Sequence, residues 1–261
     1  MNEQKDLENE ERKLRKITIH GYLYLFITII IKKLFKIFNI EIKRKRKNFD
    51  EIYQYNFKNN KKIYIFDIGA NTGQCIRRFK NIFPNSIIHS FEPIKEIFDI
   101  IKKNFISKNI VINNYACGDK NTYKKFNFNK LSYTSSFLEI NKKNKRAYLF
   151  EKKKKNEIKI VKLDNYIKQH DIKNIDILKV DAQGYELKIL KGTEKSLKKI
   201  KFIEIELTLD DIYINNPSLY QIDYIMNKNS FVLYQIGEFH YEDATDRLLS
   251  IDLLYKNLNK I

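Results

Sequence analysis

The regular alternation of short apolar runs with helix-like patterns after residue 61 is the feature that most limits how this chain can fold. Strands are predicted at residues 62–66, 87–91, 110–114, 175–180 and 202–207, and helices at 72–83, 94–105, from 185 onward and at 220–229. Because strands and helices take turns along the chain, the order predicts an α/β domain with a parallel sheet and helices on both faces. Two further strand patterns, at 231–236 and 248–255, predict an antiparallel pair that closes the sheet.

Size and composition suit one such domain with an N-terminal appendage. The chain has 261 residues, of which 43% are apolar, and this fraction excludes an intrinsically disordered protein. We assign residues 1–61 to a helical extension and residues 62–261 to the α/β domain. The two cysteines, Cys75 and Cys117, exclude a disulfide framework and a cysteine-rich metal site, which is typical of a protein of the reducing cytoplasm.

The net charge of +18 is concentrated in two stretches. Residues 1–62 hold 16 basic and 8 acidic side chains, and residues 120–162 hold 14 and 3, so the rest of the chain is close to neutral. The second stretch is predicted to be a basic insertion with strand-like pieces at 123–128 and 158–161, and the lysine run 152–155 is predicted to be an exposed turn tip. Basic patches of this kind attract nucleic acids, anionic lipids or phosphorylated substrates.

The N-terminal extension joins an apolar segment to a basic one. Residues 17–31 are almost continuously apolar, but the segment is shorter than the ~20 residues that a spanning helix needs. Residues 31–38 combine an apolar face with three lysines, and the basic run 43–47 follows. The pattern predicts a helix on an anionic membrane surface, which places the protein in the cytoplasm, at the inner face of the membrane. The alternative is a helix packed on the domain or on the second subunit of a homodimer.

The first candidate site follows the first predicted strand, where residues 67–73 read Asp-Ile-Gly-Ala-Asn-Thr-Gly. Gly69 and Gly73 allow a sharp turn and a close approach to a ligand, and the next helix offers free N–H groups to an anion. The spacing matches neither the dinucleotide fingerprint nor the phosphate-binding P-loop. Asp67 suits a ligand that carries an amine, such as the methionyl end of S-adenosylmethionine; the alternative is a purely structural connection.

Two acidic residues after the second and third strands fit a nucleoside. Glu92, which ends the second strand in Phe-Glu-Pro, is placed to accept the two hydroxyls of a ribose. Asp119, which follows Gly118 after the third strand, is placed to accept from an adenine amino group. An ordinary Gly-Asp turn explains Asp119 equally well.

Asp181, at the carboxyl end of the strand 175–180, is the first candidate for a catalytic base, since ligands of α/β sheets bind beyond the carboxyl ends of the strands. Candidate substrate-binding residues follow in the next turn and at the end of the next strand: Gln183, Tyr185, Glu186 and Glu206. The alternative for Glu186 is a favourable charge at a helix N-terminus.

His240, in the predicted loop 237–246, is the second candidate base. His20 and His89 are expected to be packing residues, and His170 has no partner that the sequence reveals. The carboxylates of Asp181, Glu206 and Glu238 are able to bind a divalent cation, but their spacing is not that of a metal motif, so no metal is expected.

The ordered set of motifs resembles the FkbM-type methyltransferase family. It comprises Asp-Ile-Gly-Ala-Asn-Thr-Gly-Gln, Phe-Glu-Pro, Ala-Cys-Gly-Asp, Lys-Leu-Asp-Asn-Tyr, Leu-Lys-Val-Asp-Ala-Gln-Gly-Tyr-Glu, Leu-Lys-Gly and Ile-Glu-Ile-Glu, between residues 63 and 207. The resemblance implies a Rossmann-like class I fold with a mostly parallel seven-stranded sheet, S-adenosylmethionine as the cofactor, and O-methylation of sugar or glycan hydroxyls in polysaccharides or related metabolites. The residues implied to line the cofactor are Asp67, Gly69, Asn71, Gly73, Glu92 and Asp119. Asp181, Gln183 and Glu186 match the second signature of the family.

Two other functions stay open on the sequence. In a nucleic-acid methyltransferase, the basic insertion would bind phosphates while Tyr123, Phe126, Phe128 and Tyr133 stack on bases, although nucleic acid is not the expected partner. The second is a non-catalytic, membrane-associated scaffold with a methyltransferase fold, against which the intact glycine turn and Glu92 argue.

Overall fold

The computed structural model describes Phe26 and residues 46–60, 62–150 and 152–260. The predictions for the apolar and amphipathic segment 17–38 and for most of the basic run 43–47 fall outside these residues. No helix within the described ranges is both long enough and apolar enough to cross a membrane. A compact unit spans Asn48–Ile261, so it begins earlier than the boundary at residue 62 that the sequence suggests.

The centre of this unit is a seven-stranded sheet. Its strands are β1 (Tyr64–Ile68), β2 (Ile87–Phe91), β3 (Ile110–Asn113), β7 (Ile175–Val180), β8 (Ile200–Thr208), β9 (Phe231–Tyr241) and β10 (Leu248–Asn257). Their order is β3-β2-β1-β7-β8-β10-β9, and β10 pairs antiparallel with both of its neighbours while the other pairs are parallel. This confirms the predicted sheet. The strand order reverses between β1 and β7, where ligands of such sheets bind.

Within the described ranges, the α-helices that accompany the sheet are α1 (Phe49–Phe57), α2 (Gln74–Ile82), α3 (Lys95–Asn104), α4 (Leu163–Gln169), α5 (Glu186–Gly192) and α6 (Leu219–Lys228). The sequence pattern did not reveal α1, whose Phe49, Ile52, Tyr53 and Phe57 are buried in the core. Asn48 caps this helix by accepting a hydrogen bond from the Glu51 N–H at 2.8 Å, and the Glu51 side chain accepts from the Asn48 N–H. Helix α4 was not predicted either, because it is short and follows directly on a strand.

The basic insertion forms a second, three-stranded sheet of β4 (Ala116–Cys117), β5 (Thr122–Asn129) and β6 (Lys152–Val161), in the order β4-β6-β5. The prediction that residues 152–155 form a turn tip is therefore wrong. Phe128 pairs with Lys154 across the two antiparallel strands, and Lys154 Nζ lies 2.7 Å from Glu96 Oε1. Because a run of identical lysines has no polar–apolar alternation, nothing in the sequence marks the strand.

The closing pair is longer than predicted. Strand β9 continues through Tyr241, and Phe239 and His240 pair with Ile251 and Ser250 of β10. The predicted loop 237–246 is thus half strand, and the turn between the two strands is confined to residues 242–247. Exposed side chains fill this end of β9, so the strand pattern there lacks the buried face that the prediction relied on.

Candidate active site

The turn after β1 is packed backbone to backbone against the end of β7. The Gly69 and Ala70 N–H groups both donate to the Phe91 carbonyl, at 3.0 and 3.1 Å, and the Asp181 N–H donates to the Ile68 carbonyl at 3.0 Å. Gly69 has a φ of +90°, and a Cβ placed on it would lie 1.9 Å from the Asp181 carbonyl oxygen. Only glycine fits this position, because both the conformation and the space exclude a side chain.

Glu92 ties the same turn to the end of β2. Its Oε2 accepts from the Asn71 N–H at 2.9 Å, and its Oε1 accepts from the Ile94 N–H at 2.7 Å. Burial raises the pKa of Glu92 to about 7 in spite of these two backbone donors. Gly73, with a φ of +84°, starts α2 without a side-chain cap, so N–H groups of its first turn stay available to a ligand.

Asp67 lies buried at the carboxyl end of β1, beneath the glycine turn. Its Oδ2 accepts from the Ser90 hydroxyl at 3.1 Å, whereas no N–H or O–H group of the described residues donates to its buried Oδ1. Burial raises the pKa of Asp67 to about 6, although the Cys75 thiol is close enough to lower it. A buried carboxylate oxygen without a donor costs free energy, and a ligand ammonium would satisfy it.

Asp119 is used within the fold. Its Oδ2 lies 2.9 Å from Lys188 Nζ of α5, and although partial burial raises the pKa of Asp119, Lys188 brings it below the usual value. The turn that carries it is fixed by close packing, since a Cβ on Gly192 would lie 1.9 Å from the Gly118 carbonyl oxygen. Its contact with an adenine stays a prediction.

Asp181 is held from two sides and remains partly open. Its Oδ1 accepts from Gln183 Nε2 at 3.1 Å, and its Oδ2 lies 3.4 Å from Lys179 Nζ, while 29% of its side chain is exposed. The Tyr213 hydroxyl lies 3.2 Å from Gln183 Oε1, on the far side of the amide. Gln183 adopts a φ of +50°, a costly conformation for a side chain of its kind. The two predicted residues Asp181 and Gln183 therefore form one hydrogen-bonded unit.

The carboxyl groups near Asp181 differ in their surroundings. Burial and then the Asp181 charge raise the pKa of Glu206 to about 8, so Glu206 carries a proton at neutral pH. Glu186 instead binds the backbone, because its Oε1 accepts from the Ala182 and Gly184 N–H groups, both at 3.0 Å, and it is buried in the first turn of α5. Burial raises the pKa of Glu186 to about 7 in spite of these donors, and its contact with a substrate stays a prediction.

Tyr185, a predicted substrate contact, lies in a packed aromatic cluster. Its ring centroid is 4.6 Å from that of Phe137, and Lys124 Nζ lies 5.0 Å above the Tyr185 ring. The aromatic residues of the basic insertion are divided: Phe126 and Phe128 are buried against each other, whereas Tyr123 and Tyr133 are exposed. The two phenylalanines are therefore closed to stacking with nucleic-acid bases.

His240 lies on β9, and β8 and β10 separate this strand from β7, which carries Asp181. Glu238, which the sequence groups with Asp181 and Glu206 as possible metal ligands, lies near two other residues instead. Its carboxylate, the His240 ring and the Asp252 carboxylate each place one possible ligand atom within 4.8 Å of the others. The two other described histidines, His89 and His170, pack near α4, and His20 lies outside the described residues. His89 Nδ1 lies 2.7 Å from the Tyr166 hydroxyl, and His170, for which the sequence revealed no partner, packs its ring 4.2 Å from that of Tyr166.

Three charged side chains of the site were not predicted from the sequence, namely Lys179, Glu204 and Arg78. Lys179 of β7 is level with Asp67 of β1 and Glu204 of β8, and all three are buried. Arg78 of α2 reaches Glu204 with distances of 2.6 and 3.1 Å between its guanidinium nitrogens and the carboxylate oxygens. The available signal was the presence of charged residues in otherwise apolar runs, since strands of parallel sheets are normally apolar throughout.

Comparison with protein families matches residues 67–233 to the model of the methyltransferase FkbM domain. A curated relative, Methyltransferase 1 of Beauveria bassiana (strain ARSEF 2860), is 23% identical over 145 residues, which make up 50% of this chain and 58% of the relative. The match thus spans little more than half the length of that relative.

Solved structures with a similar arrangement include methyltransferases of several kinds. The complex of M. capricolum TrmK with S-adenosyl-homocysteine has a TM-score of 0.41 and 16% identity, and the match covers 80% of this chain and 68% of that one. A putative rRNA methylase from Clostridium thermocellum has a TM-score of 0.47 and 7% identity, with coverage of 82% and 97%.

Proposed function

The chain belongs to the FkbM methyltransferase family, and we propose that it transfers the methyl group of S-adenosylmethionine to a hydroxyl of a sugar or glycan. The observation that carries the proposal is the contact between the glycine turn and the end of β7, where Gly69 and Asp181 meet backbone to backbone. This contact brings a partly exposed carboxylate to the turn that would hold the cofactor. The two functions, cofactor binding and proton removal, therefore meet at the point where the strand order reverses.

The residues at this point fit S-adenosylmethionine, the cofactor of this methyltransferase. The unpartnered Oδ1 of Asp67 suits its ammonium group, and Glu92, with both oxygens fixed by backbone N–H groups, suits the ribose hydroxyls. The free N–H groups at the start of α2 suit its carboxylate. Asp119 is proposed to contact the adenine. When bound, the cofactor supplies an activated methyl group on a sulfonium.

The protein has to align the acceptor and remove one proton. Asp181 accepts the hydroxyl proton while the new C–O bond forms, and Gln183 holds the carboxylate in a fixed direction. Orientation of the acceptor contributes roughly 7–11 kcal/mol in favourable cases, and a positioned base contributes about 10²–10⁴-fold. Glu206, which carries a proton at neutral pH, lies within hydrogen-bond reach of the Asp181 side chain and so adjoins the proposed base.

Replacing Asp181 tests the proposal. Asp181→Asn is expected to keep the calorimetric affinity for S-adenosylmethionine within about threefold and to lower methyl transfer by about 10²–10⁴-fold, because the amide keeps the shape but does not accept the proton. The exposed variant Asp99→Asn, which lies on α3, is the matched control and should retain both properties. Undiminished transfer in Asp181→Asn contradicts the role of Asp181 as the base.

The acceptor class is tested with a panel that contains lipid-linked glycans, free sugars and RNA, with radiolabelled methyl groups as the readout. Transfer to glycans or sugars supports the proposed function. Transfer to RNA that weakens steeply with salt would instead favour the nucleic-acid alternative. If calorimetry detects no heat with S-adenosylmethionine, the chain is a scaffold and not an enzyme.

A further inference from the structure

Lys179 is a buried cation in the middle of the parallel sheet. Its side chain is 10% exposed, and its strand β7 has sheet neighbours on both sides. Lysine is rarely buried unless it is paired, because removal of an ammonium from water is costly. Its position in the central strand therefore calls for a partner that offsets this cost. Asp67 of β1 and Asp252 of β10 face Lys179, but among the described acidic residues only Asp181 lies at ion-pair distance from its ammonium.

The carboxylates around Lys179 are therefore not equivalent partners. Glu204 is already bound by Arg78 and by the Tyr53 hydroxyl, whose oxygen lies 2.8 Å from Glu204 Oε2. The Asp181 carboxylate lies 3.4 Å from Lys179 Nζ and has no other cation among its contacts in the described chain. Although burial lowers the pKa of Lys179, Asp181 and the neighbouring acidic groups raise it well above the usual value, so the side chain stays charged.

A second carboxyl group, that of Glu206, lies close to Asp181. Residues alternate in direction along a strand, so Lys179 and Asp181 point to one side of the sheet, and Glu204 and Glu206 of the adjacent β8 do the same. Lys179 is level with Glu204, and Val180 with Ile205. Asp181 directly follows β7, so the same register continued by one residue places Asp181 beside Glu206. Because burial and the nearby Asp181 charge raise the pKa of Glu206 to about 8, Glu206 is the member of this pair that carries a proton at neutral pH.

On the basis of the proposed function, we propose that Lys179 is a positioning residue for methyl transfer: its ammonium, 3.4 Å from Asp181 Oδ2, holds the Asp181 carboxylate directed at the acceptor hydroxyl. Without this ammonium, no cation of the described residues faces the pair formed by Asp181 and Glu206, so we expect the pair to bind protons up to a higher pH and methyl transfer to fall most at low pH. The effect of Lys179 is therefore specific to one side chain and dependent on pH, unlike a general role in packing.

The first experiment tests the ion pair of Lys179 with Asp181 through melting temperatures, so it needs no methyl acceptor. Lys179→Met is expected to lower the melting temperature at pH 8 and to lower it less at pH 5, because the pair of carboxyl groups that loses its cation binds more protons at the lower pH. The double variant Lys179→Met/Asp181→Asn should regain most of the lost melting temperature, whereas Lys179→Met/Glu204→Gln should not. Equal rescue by the two second substitutions, or none by either, overturns the pairing of Lys179 with Asp181.

The second experiment measures the pH profile of methyl transfer with the best acceptor of the panel. In Lys179→Met the acid limb of the kcat/KM profile should move at least one pH unit upward. The loss of kcat/KM relative to wild type should be more than tenfold greater at pH 6 than at pH 9. The affinity for S-adenosylmethionine should stay within about threefold of wild type. Lys179→Arg, which keeps the charge, should keep the limb in place, and Lys95→Met is the surface control.

The two experiments separate the two proposals. A uniform loss at every pH overturns the role of Lys179 while the proposed function stands. If wild-type protein methylates no acceptor of the panel, the proposed function fails, and the thermal double-variant experiment still decides whether Lys179 holds Asp181. Should Lys179→Met fail to fold, Lys179→Arg and Lys179→Gln provide the same comparison of a retained and a removed charge.

Discussion

Gly69 shows how much of the site depends on the absence of one side chain. Gly69 has a positive φ, and a Cβ at this position would lie 1.9 Å from the Asp181 carbonyl oxygen. Because the obstructing atom belongs to the backbone, a side-chain rotation does not relieve the clash. At Gly73 the obstacle is different, because a Cβ would lie 2.4 Å from the ring of Phe105, a side chain that is able to move.

The two glycines should therefore respond differently to substitution by alanine. Gly73→Ala is expected to lower the free energy of unfolding by about 1–3 kcal/mol, the usual cost of a side chain in this conformation. Gly69→Ala should cost more, since β1 and β7 must separate, and should abolish calorimetric binding of S-adenosylmethionine. Urea unfolding of both variants measures the difference, and equal losses would contradict the argument from backbone contact.

At the scale of elements, buried charges connect α1, α2 and the sheet. Arg78 of α2 binds Glu204 of β8 and also donates through Nε to Asp50 of α1 at 2.7 Å. Although burial raises the pKa of Glu204, Arg78 lowers it below the usual value, so Glu204 is ionised inside the protein. A charge in this position is stable only as long as its partners remain.

Arg78→Met is expected to destabilise the protein by about 3–5 kcal/mol, because it leaves a buried carboxylate without its main partner. Lys95→Met removes a solvent-exposed partner of Asp99 and should change the stability by less than about 1 kcal/mol. Chemical denaturation at pH 7 compares the two. Similar values for both variants would show that Arg78 acts as an ordinary surface residue.

At the scale of the whole molecule, the cofactor turn makes stability depend on pH. The folded protein holds the protons of Asp67 and Glu92 up to pH values of about 6 and about 7, above those of the unfolded chain. Each carboxyl group therefore makes its full contribution to the free energy of unfolding below its unfolded pKa of about 4. This contribution is lost as the pH rises through the pKa of the group in the folded protein.

Glu92→Gln isolates this effect, because the amide does not titrate. Between pH 4.5 and 8, the wild-type protein without cofactor should lose about 3 kcal/mol more stability than the variant does. Thermal melts across this range provide the measurement. Parallel profiles for wild type and Glu92→Gln would mean that Glu92 is not held protonated. Bound S-adenosylmethionine should reduce the part of the loss that comes from Asp67, since its ammonium favours the charged carboxylate.

The extent of the folded unit gives a further prediction. Helix α1 buries four large side chains, and each contributes about 1.5–3 kcal/mol, so their sum is comparable to the stability of a whole domain. A chain of residues 48–261 should keep its cooperative melt and its affinity for S-adenosylmethionine, whereas a chain of residues 62–261 should not melt cooperatively. Circular dichroism and gel filtration test this, and a well-folded 62–261 chain would make α1 dispensable.

The sequence by itself determined the strands that have a local signature. Apolar runs such as Ile87–Phe91 and Ile175–Val180 form strands at the predicted bounds, since a strand buried on both faces requires apolar residues throughout. The glycine turn and the acidic strand ends were also visible, because the conformation of a turn depends on the residues within it. Local signals failed for the lysine run of β6 and for α1, where pairing and burial come from distant parts of the chain.

Only the tertiary structure decided which charged residues meet. Lys179 lies more than a hundred positions from Asp67 and is level with it because β1 and β7 are neighbours in the sheet, a fact of strand order that no short stretch of sequence encodes. The same strand order places two strands between His240 and Asp181. Chemistry-bearing residues are thus specified one at a time along the chain, but their electrostatic partners depend on the register and order of strands, which are set by packing of the whole core.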